Sequence, residues 1–112
     1  MSLRNQNSIT LTGRLGSDAS LTKVSEKSQY VSTSIAHNES YQNQSGDWIN
    51  KTHWVNIKAW GNVAKSFVEN SKKGDEVTVQ GKLKTYAFKN NDDKEVSGIE
   101  VVFEDFVVNS KA

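Results

Sequence analysis

One segment constrains the fold of this chain more than any other. Residues 61–75, GNVAKSFVENSKKGD, carry Val63, Ala64, Phe67 and Val68 at helical spacing, within a sequence whose other apolar residues alternate. The spacing predicts one short helix. Asn62 is placed to cap its start, Lys72 and Lys73 suit its C-terminal dipole, and Gly74 suits the C′ position. The rest reads as strand. SITLTGRL (8–15) alternates Ile9, Leu11, Gly13 and Leu15 with polar residues, and ASLTKV (19–24) extends or follows it after a turn at Gly16-Ser17-Asp18. QYVSTSIAHN (29–38) places Val31, Thr33 and Ile35 on one face. Residues 38–51 are polar, hold a turn signal at Ser45-Gly46-Asp47, and read as a long loop or hairpin tip. THWVNIKAW (52–60) turns Val55, Ile57 and Ala59 inward. DEVTVQGKLKTYAF (75–88) does the same with Val77, Val79, Gly81 and Leu83. After a turn at 89–95, SGIEVVFEDFVVN (97–109) is a last strand, bent near Glu104-Asp105.

The resulting order is β-β-β-α-β-β, without proline or internal repeat. It predicts an all-β chain: a five-stranded OB-fold Greek-key barrel with one short helix between strands 3 and 4. An SH3-like barrel also has five strands but makes no place for that helix. Gly13 and Gly81 lie inside strands, where a barrel needs bends or bulges. The 112 residues suit one domain. Its expected parts are a flexible N-terminal segment (1–7), the barrel (8–109) and a short C-terminal end (110–112) with no acidic tail.

Catalysis finds little support. The absence of cysteine excludes a disulfide framework, a thiolate zinc site and a cysteine nucleophile. The two histidines, His37 and His53, have no metal-ligand spacing, and GRLG (13–16) lacks the features of a phosphate loop. His53 neighbours Trp54 on a strand, so it faces the other way, toward the barrel edge or an interface. Asp92-Asp93 and Glu104-Asp105 read as turn or bend residues. No catalytic residue, metal site or cofactor is expected. The N-terminus has no signal-type apolar run and no segment approaches membrane-span length, so the expectation is a cytoplasmic protein without a membrane partner.

The formal net charge of +1 conceals an uneven distribution. Residues 53–89 carry seven lysines against three acids, whereas residues 90–112 carry two lysines against six acids. The aromatics fall in the basic part on the polar parity. Trp54 and Trp60 share a face with Asn56 and Lys58. On the next strand Lys82, Lys84, Tyr86 and Phe88 share the outward face. Tyr41 and Trp48 add aromatics to the polar connection. Exposed aromatics mark an interface. Interleaved with lysine they suit single-stranded nucleic acid, where each base stacks for about 1–3 kcal/mol and each phosphate takes a cation. A protein–protein interface using the same Trp and Tyr side chains is the other reading the residues leave open.

In order along the chain, GRLG, AHNESY, SGDWINKTHW, WGNVAKSF and KKGDEVTVQGKLKTYAF resemble the motifs of the bacterial single-stranded DNA-binding protein family, over about residues 8–108. The resemblance implies sequence-independent binding and protection of single-stranded DNA in replication, recombination and repair. It also implies a nucleoid-associated homotetramer, with a dimer as the alternative. By motif it assigns base stacking to Tyr41, Trp54, Trp60 and Phe88. It also implies basic groups near Arg14, Lys58, Lys82 and Lys84 that contact phosphates or base edges. From the residues alone, Tyr86 joins these contacts, and Trp48 is either a loop contact to nucleic acid or a residue of a protein interface or of hairpin packing.

Several positions depart from the family pattern. Val55 and Asn56 stand where histidine and a basic residue are common, and Asn62 replaces a common lysine. Fewer cations imply a shallow salt dependence. The chain shown also lacks the acidic tip that recruits partners in the family, so tail-mediated partners are not supported. A related OB-fold primosome accessory protein, acting mainly through protein partners, is the alternative function.

Overall fold

The computed structural model describes residues 6–112. Six strands and one helix follow in the order β1 (Ile9–Leu15), β2 (Leu21–Ser25), β3 (Ser28–Gln42), β4 (Trp48–Trp60), α1 (Gly61–Asn70), β5 (Glu76–Lys89) and β6 (Glu95–Ser110). β1 pairs with β5, β5 with β6, β6 with β4, β4 with β3, and β3 returns to β1, which closes a five-stranded barrel. All these pairings are antiparallel except β4–β6. β2 lengthens β1 rather than adding a sixth stave, because both run antiparallel to β3. Leu15 lies opposite Ile35 and Leu21 opposite Val31, so six steps of one strand span four of the other. The surplus is the bulged turn at Gly16. This is the expected OB-fold.

The barrel interior holds Leu15, Val31, Ile35, Ile57, Ala59, Val77, Val79, Val101 and Phe103. Those on β1, β3, β4 and β5 are alternating positions read from the sequence, and Val101 and Phe103 of β6 join them. α1 closes one end. It buries Ala64 and Phe67, and the Phe67 ring lies 5.0 Å from Phe103, tilted by 59°, and 5.1 Å from Phe106, edge to face. Gly81 is required where β5 meets β6, since a Cβ there would lie 2.1 Å from the Val102 carbonyl oxygen. The β5–β6 register shifts beside it, at Glu104-Asp105, where the sequence predicts a bend.

Four expectations need correction. α1 starts at Gly61, one residue before the anticipated Asn62 cap. Trp60 occupies the cap position without a side-chain hydrogen bond, and Gly61 (φ 65°) makes the strand-to-helix turn. The helix ends at Asn70, not near Gly74. Ser71 Oγ donates to the Phe67 carbonyl, and Lys111 Nζ donates to the Asn70 carbonyl (2.6 Å), so the end is satisfied earlier. Gly74 (φ 88°) instead shapes the following turn. The polar segment 38–51 is mostly strand: β3 and β4 pair as far as Gln42 and Trp48, leaving only residues 43–47 as the tip. Leu83 has the inward parity but is 39% exposed, because β5 has already run past the barrel mouth. Its backbone is paired there by the Asn7 side chain. Of the N-terminal segment expected to be flexible, residues 1–5 lie outside the described residues.

A candidate nucleic-acid interface

Directly paired residues on neighbouring strands project to the same side of a sheet. On β3 and β4 the outer pairs are Tyr30–Trp60, Ser32–Lys58, Ser34–Asn56, Ala36–Trp54 and Gln42–Trp48. Trp48, Trp54 and Trp60 therefore stand on one face of one continuous strand, every sixth residue and about 20 Å apart. They are 69%, 63% and 45% exposed. Lys58 lies opposite Val102 of β6, and Val102 opposite Lys82 of β5, so the face continues without a break onto the second hairpin. There it carries Lys82, Lys84, Tyr86 and Phe88. Tyr86 and Phe88 stack at 6.3 Å, and Tyr86 lies flat over Gly98, whose missing side chain leaves room for the ring.

The supports of the tryptophans are local. Trp54 rests on the bulge between β1 and β2, where a Cβ on Gly16 would come 2.6 Å from its ring. Trp60 leans on Tyr30, with ring centroids 5.1 Å apart and tilted by 48°. Tyr30 went unread in the sequence, although its position beside buried Val31 gives it the outer parity.

The cations are less free than their number suggests. Lys58 Nζ sits 4.5 Å from the Tyr30 centroid and 4.8 Å from that of Trp60. Lys82 lies 3.8 Å from Glu104. Arg14 neighbours Ala36 in the row that leads to Trp54, and its guanidinium donates to the Gly74 carbonyl at 2.9 Å. Lys84 makes no ion pair among the described residues. Glu100 and Glu104 interrupt the basic surface along β6.

Tyr41 is not brought together with the tryptophans. It pairs with Ile49, on the reverse side of the β3–β4 hairpin. The same reverse side carries His37 and His53, stacked at 6.5 Å. His37 Nδ1 lies 2.8 Å from the Thr12 carbonyl, which can only accept, so that nitrogen carries the proton. His53 Nε2 lies 3.0 Å from Glu39 Oε2, at the barrel edge as its parity predicts. Trp48, expected as a loop contact, is instead a full member of the aromatic strand.

Residues 6–108 match the model of the Single-strand binding protein family. The chain belongs to that family. It is 31% identical over 88 residues to Single-stranded DNA-binding protein 1 of Chlorobaculum tepidum, which covers 79% of this chain and 54% of that protein. It is 33% identical over 78 residues to the mitochondrial Single-stranded DNA-binding protein of Drosophila melanogaster, covering 69% and 53%. The chain thus spans about half the length of these relatives. The Plasmodium falciparum SSB complex with ssDNA superposes with a TM-score of 0.81 at 24% identity, covering 96% of this chain and 98% of that one, a likeness of fold. Among the described residues no helix is long and apolar enough to cross a membrane.

Proposed function

We propose that this protein binds and protects single-stranded DNA without regard to sequence, as a non-enzymatic, cytoplasmic participant in replication, recombination and repair. The carrying observation is the shared outer face that brings Trp48, Trp54, Trp60, Tyr86 and Phe88 together with Lys58, Lys82 and Lys84. Bases stack on the rings, and the lysines neutralise the phosphates between them. Nothing in this arrangement reads base edges in a duplex groove. The relatives' names, which describe single-stranded DNA-binding proteins, support the same reading. Self-association as a tetramer or dimer fits the apolar side chains left exposed at Val107 on one face of the β5–β6 ladder and at Ile99 and Leu83 on the other.

Fluorescence anisotropy of a labelled oligo(dT), with unlabelled duplex as competitor, tests this across a salt series. Binding that duplex does not displace is expected. With three lysines on this face, one of them paired with Glu104, the log–log salt slope should be shallow, about −2 or less steep per protomer, at about 0.7 per neutralised phosphate. Displacement by equimolar duplex would refute the reading. Absence of binding would favour a module that works through protein partners.

A further inference from the structure

We propose that Tyr30, Lys58 and Trp60 form a single nucleotide subsite at the barrel end of the aromatic face. A base stacks on the tilted Tyr30–Trp60 pair while its phosphate takes the Lys58 ammonium. The inference rests on the reading of this face as a single-strand surface and adds to it a contact residue, Tyr30, and a coupling between stacking and charge.

Tyr30 and Trp60 are cross-strand partners, and the Lys58 ammonium lies over both rings, at 4.5 and 4.8 Å. The residues paired with Lys58 on either side are Ser32 and Val102, so neither offers it a carboxylate. In the free protein the ammonium therefore occupies the ring surface on which a base would stack. A cation over an exposed ring is weakly held, whereas a charge-assisted bond to phosphate is stronger. One nucleotide supplies both halves of the exchange: its phosphate draws the lysine off the rings, and its base replaces the lysine there. Thr22, the partner of Tyr30 on its other side, is small and exposed, and Tyr30 itself is half-buried.

Oligo(dT) anisotropy on the full chain tests the subsite with three variants. Tyr30→Ala should bind about 5- to 100-fold more weakly, the loss of one stacked base. Tyr30→Phe keeps the ring and should bind within about twofold of wild type. Lys58→Met should lower the magnitude of the salt slope by about 0.7, one phosphate. Wild-type affinity in Tyr30→Ala, alongside weakened binding in Trp54→Ala, would overturn the subsite and leave single-strand binding standing. Failure of the wild type to bind would overturn both. An unchanged slope in Lys58→Met would separately overturn the charge exchange, in a variant that leaves the Tyr30 and Trp60 rings intact.

Discussion

At the scale of the residue, the candidate site depends on which way a ring points. Trp54 has the outer parity and a ring braced against Gly16; Tyr41 has the opposite parity and a different surface. Trp54→Ala should therefore weaken oligo(dT) binding by about 1–3 kcal/mol, and Tyr41→Ala by clearly less. Isothermal titration of both variants checks the order. Gly16→Ala gives a sharper probe. Its new methyl group would clash with the far edge of the exposed Trp54 ring and otherwise make an ordinary 3.6 Å contact with Ser34 Oγ, so the chain should still fold and melt within about 1 kcal/mol of wild type. The displaced ring should nonetheless reduce tryptophan quenching by DNA. A thermal melt and a quenching titration on the same sample read both effects.

At the scale of the element, the turn joining α1 to β5 is a fixed joint. Asp75, almost fully buried, accepts the backbone N–H groups of Ala112 and Lys72 and the Lys111 ammonium. The Ala112 bond first, and then those from Lys72 and Lys111, hold its carboxyl below the ordinary aspartate range against the opposing effect of burial. A depressed folded-state value contributes stability that is present above the unfolded value and lost as pH falls through the folded one. Wild type should therefore lose stability as pH drops below about 4, and Asp75→Asn should lose much of that acid dependence. Denaturant melts across pH 2–7 measure it.

The helix, its slot in the order and the alternating core positions were legible because burial imposes a period on them. The outer half of the β3–β4 hairpin was not. Asn38, Ser40, Asn50 and Thr52 pair across it through side-chain bonds of 2.7 Å, Ser40 to Asn50 and Thr52 to Asn38. With both faces polar, no apolar alternation announces a strand. Without that alternation the sequence carries no parity by which to set Trp48 with Trp54 and Tyr41 against them. Tyr30, beside buried Val31, has its outer parity legible in the sequence. Leu83 shows the complementary limit, since parity gives a direction but not how far the barrel extends.

At the scale of the whole molecule, two long hairpins rise from one barrel and meet through only two paired positions, Ile57–Val101 and Lys58–Val102. That narrow parallel seam joins the tryptophan strand β4 to β6, which pairs in turn with the lysine strand β5, and so makes them one surface. Glu100 and Glu104 of β6 flank the seam and keep the charge of this face modest, so the proposed binding rests mainly on stacking. In the proposed complex bases stack on Trp54 and Trp60, and titrating the protein with poly(dT) while following intrinsic tryptophan fluorescence reads that contact itself. Strong, saturable quenching is expected, which survives raised salt and falls in Trp54→Phe and Trp60→Phe. Binding detected by anisotropy with tryptophan emission unchanged would contradict it.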